Sequence, residues 1–487
     1  MWSVLLPLLQ GAVPSPAHDA ALEPRGLSGQ SATPVGWSEI INSNMPGGRT
    51  ASQVCTGDFG VMVFGGAVHE HRFTDETWLL PALGGSWQLL NTTEGQPHPR
   101  ARAVAGIAKY GDGCLMFGGV GRIQGTNTSW PVFDLLDETW YWTLAGGWVQ
   151  MTFDGPTPPP RFYHTLKELS DGTLFLFGGR THLYGAAAYC LSDTWTFSNG
   201  TWAPMELLTE IPDAARNPMM PDAAMMRNGP VGRWGQAMAC GLTNTGPAMR
   251  NALTGYGKVE CVMFGGSVVA DDDFLADTWL LRVVTDENGT IPLPRSYFWE
   301  QQNSAVQPHG RWSFAMATCG SRAIFIGGST DFRVSADETW VWEPVTRVVE
   351  DPMHPPGHLG EWRRLYGTDA IADGAYGPGG RPTRAGPLRI AGYGLVNIGA
   401  LGASDIVLFG GAKNQSGGHF LHKGWETSEM WRWPCSVQQW PEAIVASPPT
   451  PPSSPPPPNL PPGEYAGGPH GIPEWYEPEE EVPPAVP

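Results

Sequence analysis

Two histidine pairs, His69-x-His71 and His419-x-x-His422, have the short spacing from which a metal site could begin. A zinc or copper centre needs three or four ligands, so each pair would require more donors from distant loops. Neither lies in a His-Glu-x-x-His run, and the seven cysteines form no Cys-x-x-Cys pair. That excludes a zinc ribbon or a thioredoxin-type site, and no metal or cofactor is expected. A glycosidase needs two carboxylates at a set separation; 47 acidic residues supply candidates without singling out a pair. No phosphate-cradling Gly-rich loop and no Ser or Cys nucleophile elbow is recognisable, so no residue is assigned as catalytic.

The most regularly recurring charges are arginines and carboxylates. Arg49, Arg100, Arg161, Arg233 and Arg311, and then Arg381 or Arg384, each precede a β-rich segment. Downstream come Asp75-Glu-Thr-Trp78, Asp137-Glu-Thr-Trp140, Asp193-Thr-Trp195, Asp277-Thr-Trp279, Asp337-Glu-Thr-Trp340 and the deviant Ser428-Glu-Met-Trp431. Six arginines around a channel would attract anions. Their strict co-occurrence with the acidic-x-Trp signature argues instead for pairing inside each unit, through the Asp of that signature.

The elements that position these charges follow from a third recurrence, an apolar run ending in a diglycine. The pairs are Gly65-Gly66, Gly118-Gly119, Gly178-Gly179, Gly265-Gly266, Gly327-Gly328 and Gly410-Gly411. A Gly pair lets the chain leave a buried strand abruptly. Another Trp follows each of the first five signatures, at Trp87, Trp148, Trp202, Trp299 and Trp362. One unit therefore reads as a four-stranded antiparallel sheet: a strand after the Arg, the apolar run, the acidic-x-Trp strand, and the strand of the later Trp. Such a sheet is apolar on both faces, and radial packing buries each face against its neighbour.

Diglycine, spaced aromatics and a period of about fifty residues resemble the Kelch repeat. The resemblance implies an all-β, six-bladed Kelch-type β-propeller over residues 35–445, with Trp78, Trp140, Trp195, Trp279, Trp340 and Trp431 as packing residues of the scaffold. Long intervals before the fourth and sixth units leave room for a seventh blade. The segment Trp37–Ile41 looks like an outer strand without a blade of its own, and it is expected to complete the sixth. Trp440 is the competing candidate.

Function belongs where the repeats differ, in loops held by a rigid scaffold. The loops between second and third strands share a face with the blade-to-blade connections. Candidate binding residues there are His69, His71, Arg122, Trp130, His182, Tyr184, Asp271, Asp272, Arg333, His419, His422 and Trp425. The expected ligand is a protein or a glycan. A net charge of −18 disfavours nucleic acid, and no run is long and apolar enough for a membrane helix.

Residues 1–17 read as an incomplete signal peptide and 18–34 as a flexible leader. Sequons stand at Asn91, Asn127, Asn199, Asn288 and Asn414, and Cys240 and Cys261 flank an insertion that a disulfide would staple. Residues 446–487 are Pro-rich, acidic and without Lys or Arg, which predicts a disordered tail. Their Ser-Pro-Pro-Pro-Pro run resembles extensin-like wall glycoproteins of plants and algae. These features favour a secreted or cell-wall binding protein. The alternatives are a galactose-oxidase-like or other carbohydrate-active secreted enzyme, and an intracellular Kelch adaptor in the cytoplasm.

Overall fold

The computed structural model describes residues 37–435, apart from 69–71, 91–97, 100, 123–132, 183–189, 209–228, 243–256, 269–273, 286–289, 292, 303, 305, 332–333, 336–337, 345–359, 367–389, 392–393, 399–404 and 414–426. The leader, the Pro-rich tail, Trp440 and the sequons Asn91, Asn127, Asn288 and Asn414 lie outside the described residues.

Each apolar run forms the second strand of a blade. Gly60–Phe64, Gly113–Phe117, Leu174–Phe177 and Asp405–Phe409 are buried along their whole length. They read as continuous apolar segments because a neighbouring blade covers each face. The first blade orders Gln53–Gly57, Gly60–Phe64, Thr77–Leu80 and Gln88–Leu90 from the inside out. The second uses Gly106–Tyr110, Gly113–Phe117, Thr139–Thr143 and Gly147–Met151. The third uses Thr165–Glu168, Leu174–Phe177, Thr194–Ser198 and Thr201–Pro204, and the fourth Ala237–Cys240, Gly257–Phe264, Thr278–Val284 and Tyr297–Gln302. Ala315–Cys319, Arg322–Ile326, Thr339–Pro344 and Gly360–Tyr366 make the fifth.

In the sixth blade, Gly394–Ile398, Asp405–Phe409 and Met430–Trp433 receive their outer strand from the other end of the chain. Ser38 pairs with Arg432 and Glu39 with Trp431, so the Trp37 segment closes the ring. Six apolar clusters fill six seams, each joining consecutive blades and the last joining the sixth to the first. Among the described residues six blades close the ring.

The seams carry a polar register as well. At four seams the outer-strand Trp of one blade donates to the Thr that opens the third strand of the preceding blade, whereas Thr194 of the third blade donates to Met205 O at 2.7 Å instead. Trp148 Nε1 reaches Thr77 Oγ1 at 2.9 Å, Trp202 reaches Thr139 at 3.0 Å, and Trp362 reaches Thr278 at 2.8 Å. Trp37 reaches Thr339 at 3.0 Å, so the closing segment obeys the rule of the complete blades. At the seam between the sixth and first blades the Thr position is Met430. Trp87 Nε1 there has no hydrogen-bond partner among the described residues, and Asn42 Nδ2 approaches the Met430 sulfur at 3.2 Å. The deviant signature thus has a structural consequence at one seam.

Three disulfides are present. Cys240 is joined to Cys261, directly opposite it in the fourth blade. Cys55–Cys114 links the first blade to the second, and Cys319–Cys435 links the fifth to the sixth across 116 residues of chain. Cys190 is the free cysteine.

Thr139→Val keeps the shape of the side chain but removes the acceptor of Trp202. A buried indole N–H left unpaired costs about 1–3 kcal/mol, and urea unfolding should show that loss at Thr139.

Candidate binding face at the channel mouth

The repeated arginines are inside the wall of the propeller. Arg49, Arg102, Arg161, Arg233 and Arg311 are each at most 1 % exposed. Arg161 makes a fork to Asp193 at 2.7 and 2.6 Å, and Arg233 one to Asp277 at 2.6 and 2.8 Å. Arg49, Arg102 and Arg311 donate to Glu76, Glu138 and Glu338. Two expectations need correction. Arg102 holds this place in the second blade; Arg100 lies outside the described residues. In the Asp-Glu-Thr-Trp blades the partner is the Glu, because the residue two before the Trp is the one whose side chain turns back to the Arg.

Each node has further bonds. The signature Trp donates Nε1–H to the same carboxylate in all six blades, from Trp78 to Glu76 through Trp431 to Glu429. The five arginines also donate to the carbonyl of the first Gly of their own pair, as Arg161 does to Gly178 at 3.1 Å. Burial pushes Asp193 up, but hydrogen bonds from Arg161 and Trp195 outweigh it and hold the carboxyl below its ordinary value. Glu76 and Glu338 are likewise raised by burial and lowered further by Arg and Trp partners. No arginine of this set faces the channel as a ligand-attracting ring.

The second Gly ties one blade to the next. Gly119 N donates to Arg161 O at 2.9 Å, and Gly411 N to Arg49 O at 2.9 Å across the closing seam. At Gly119 φ is +96, and a Cβ would stand 2.8 Å from the Ala103 carbonyl, so glycine is required there.

Two residues after each arginine the backbone turns left-handed. Ala51, Val104, Tyr163, Gly235 and Ser313 have φ between 49 and 66. Their amides form a collar: Val104 N donates to Ala51 O, Tyr163 N to Val104 O, Gly235 N to Tyr163 O and Ser313 N to Gly235 O, at 3.0–3.1 Å. The collar rims a channel of about 790 Å³ lined by the inner strands of the first five blades. It lies at the end where the second-to-third-strand loops emerge. Short ribbons rise from that end, Ala67–Val68 with Arg72–Phe73 and Val120–Arg122 with Phe133–Leu135.

Identical backbone positions in the collar carry very different side chains. The collar position itself is Ala51, Val104, Tyr163, Gly235 or Ser313, and the residue before it is Thr50 or Ala103 in the first two blades but Phe162, Trp234 or Trp312 in the next three. Tyr163 lies 5.2 Å from Trp234 and 5.8 Å from Trp312 between ring centres, and Trp234 lies 4.8 Å from Trp312. The Arg180 guanidinium sits 5.0 Å above the Trp234 ring. Burial lowers the Arg180 pKa and pushes the Tyr163 phenol up to about 12, with the Arg180 charge opposing the latter. The mouth is therefore half aromatic wall and half small residues. Tyr163 is the partly exposed member, while Phe162, Trp234 and Trp312 are buried.

Of the loop candidates, His182 has a described side chain; it is exposed, with Nδ1 3.0 Å from Thr181 Oγ1. Arg122 ends a strand. Its side chain lies outside the described residues, as do His69, His71, Trp130, Tyr184, Asp271, Asp272, Arg333, His419, His422 and Trp425. Among the described residues no three His, Cys, Asp or Glu side chains gather as a metal would require, and no helix is long and apolar enough to cross a membrane. The aromatic wall was missed. Its signal was Arg161-Phe-Tyr, Arg233-Trp and Arg311-Trp, visible once units are aligned on the arginine.

Arg161→Met leaves Asp193 and the Gly178 carbonyl without their partner. Because Asp193 is about a third exposed, the loss should sit near the low end for a broken buried pair, about 3 kcal/mol, in urea unfolding. His164, packed in the seam near Phe117, is held down to about 3 by burial and then by the Arg161 charge. Only the unfolded chain takes up that proton between about pH 6.5 and 3. His164 therefore stabilises fully above pH 6.5, and about 1.4 kcal/mol per pH unit is lost as pH falls below it. The carboxylates of Glu76, Asp193 and Glu338 lose stability in the same direction at lower pH. His164→Gln should flatten the melting temperature between pH 6 and 5 relative to the parent.

Residues 34–221 match the model of the KLHDC2/KLHL20/DRC7 Kelch-repeats domain. An F-box/kelch-repeat protein of Arabidopsis thaliana is 25 % identical over 337 residues, covering 66 % of this chain and 59 % of that protein. Kelch domain-containing protein 1 of Homo sapiens is 31 % identical over 145 residues, 30 % of either chain. The chain thus spans less than two thirds of the length of these relatives. The solved structure of YjhT aligns at a TM-score of 0.47 and 12 % identity, over 77 % of this chain and 93 % of that one. The repeated node, the six closed blades and the family match support a Kelch-repeat protein with a β-propeller fold.

Proposed function

We propose that this chain is a non-catalytic scaffold that binds a polypeptide at the channel mouth. The carrying observation is the asymmetry beside the collar, where the residue after the node arginine is aromatic in three blades (Phe162, Trp234, Trp312) and small in two (Thr50, Ala103). A scaffold that only had to close would not need that difference, because each of these residues makes the same backbone pairing with the residue after its diglycine. A peptide side chain can enter over Ala51 and Val104 and meet the edge of Tyr163. The three neighbouring aromatics are buried, Trp234 against Trp312 and Phe162 against Tyr163, so they offer no open ring face for a sugar to stack on, which favours peptide over glycan.

We further infer that the protein works in an oxidising compartment. Three of its cystine bridges, two of them between blades, support export, since such bonds persist outside the reducing cytosol. Non-reducing peptide mapping of the protein from its own cells tests this. Recovery of Cys55, Cys114, Cys319 and Cys435 as free thiols would defeat it.

Binding can be tested with peptides selected from a random displayed library. Tyr163→Gly reproduces the Gly235 position of the next blade and suits the left-handed backbone, so the fold should survive. Affinity for the selected peptides should fall at least about tenfold, equivalent to about 1.4 kcal/mol. Unchanged affinity in the folded variant would move the site away from the mouth.

A further inference from the structure

We propose that Asn199 carries an N-linked glycan, a reading that rests on the export inferred above. Asn199 and Gly200 are the two turn residues between the third and outer strands of the third blade, where Ser198 pairs with Thr201. Their φ values of 49 and 76 are those of a mirror-image two-residue hairpin turn, which the Asn-Gly dipeptide favours. The Asn199 side chain is exposed, and so is Thr201, the hydroxyl-bearing third residue of the sequon. Thr201 Oγ1 donates to Ser198 O at 3.2 Å across the turn. The turn amide of Gly200 lies 3.4 Å from the Tyr110 hydroxyl of the second blade, so the tip is held against the scaffold.

Position decides what a glycan here would do. Turns between third and outer strands emerge on the face opposite the collar, at the outer rim. A sugar chain on Asn199 therefore extends away from the mouth, and the proposed peptide site stays open. It also covers the exposed tip of a hairpin without entering any seam. In the transfer step the carboxamide nitrogen of Asn199 attacks the anomeric carbon of a lipid diphosphate-linked oligosaccharide. The C–N bond forms, the C–O bond to diphosphate breaks, the lipid diphosphate leaves with the electron pair, and the amide gives up one proton to a base. The competing chemistry of this dipeptide is attack by the Gly200 nitrogen on the Asn199 side chain, which releases ammonia and ends in aspartate.

The test uses the full chain purified from a eukaryotic secretory host and treated with peptide N-glycosidase in heavy-oxygen water. It is then mapped without reduction. The expected result is a peptide with heavy-oxygen aspartate at position 199, lost in Thr201→Val and retained in Thr201→Ser; Asn199→Gln removes the same mass step. Intact cystines with bare Asn199, or with aspartate lacking heavy oxygen, would overturn the glycan and leave the export reading standing. Free thiols at all three cysteine pairs would overturn both.

Discussion

One buried guanidinium in each of the first five blades is the interaction on which the rest of the propeller depends; Arg381 and Arg384 lie outside the described residues. The node arginine's side chain reaches the carboxylate that opens the third strand and the carbonyl of the diglycine that ends the second. Its backbone carbonyl accepts the amide of the second glycine from the preceding blade. A single residue thus joins three strands of its own sheet and the neighbouring sheet. An arginine suits this place because its planar fork delivers several donors in fixed directions and stays charged when buried. Lysine has no such geometry, and the chain uses arginine at every described node.

That arrangement explains why so many charges in the sequence do no chemistry. The carboxylate of the node accepts from both the arginine and the signature tryptophan, so its charge is neutralised and hydrogen-bonded in place. The same economy appears in the collar, where Val104, Tyr163 and Gly235 each use both amide and carbonyl to bind their neighbours. Side chains at the collar are consequently released from structural duty. This is where the blades diverge, from Ala51 and Val104 to Tyr163 with Trp234 and Trp312 beside it, and divergence on a fixed backbone is how one scaffold acquires a distinct mouth.

The blade count and the strand order were legible because diglycine, acid and tryptophan are each required once per blade, and repetition makes a local need visible. The closing strand was legible for the same reason: Trp37–Ile41 resembles other outer strands, and the bond from Trp37 to Thr339 shows why it had to. What stayed hidden involves choices between neighbours or partners far apart in sequence. Arg100 and Arg102, or Asp75 and Glu76, differ only in the direction their side chains take. The Trp-to-Thr bonds join residues 63 to 302 positions apart, and the inter-blade disulfides join cysteines 59 and 116 apart. No local pattern encodes such pairs; they appear when the ring is assembled.

The sixth blade shows how this assembly tolerates a lapse. Met430 removes the oxygen that Trp87 would meet, yet the seam keeps its apolar cluster, in which Met430, Trp87, Val407 and Phe409 pack together. The chain from Ile40 to Met45 runs along the same seam, with Asn44 Nδ2 donating to the Trp87 carbonyl at 2.8 Å and Trp87 N to Ser43 O at 3.1 Å. This backbone segment therefore supplies bonds to the Trp87 main chain at a seam that lacks the Thr hydroxyl. Because that segment is the continuation of the closing strand, a seam without the Trp-to-Thr bond is reinforced by ring closure itself. The degenerate repeat at the sixth position is thus accompanied by a second length of chain, as residues 205–208 accompany the seam between the third and fourth blades through Met205 N to Thr194 O and Leu208 N to Tyr297 O.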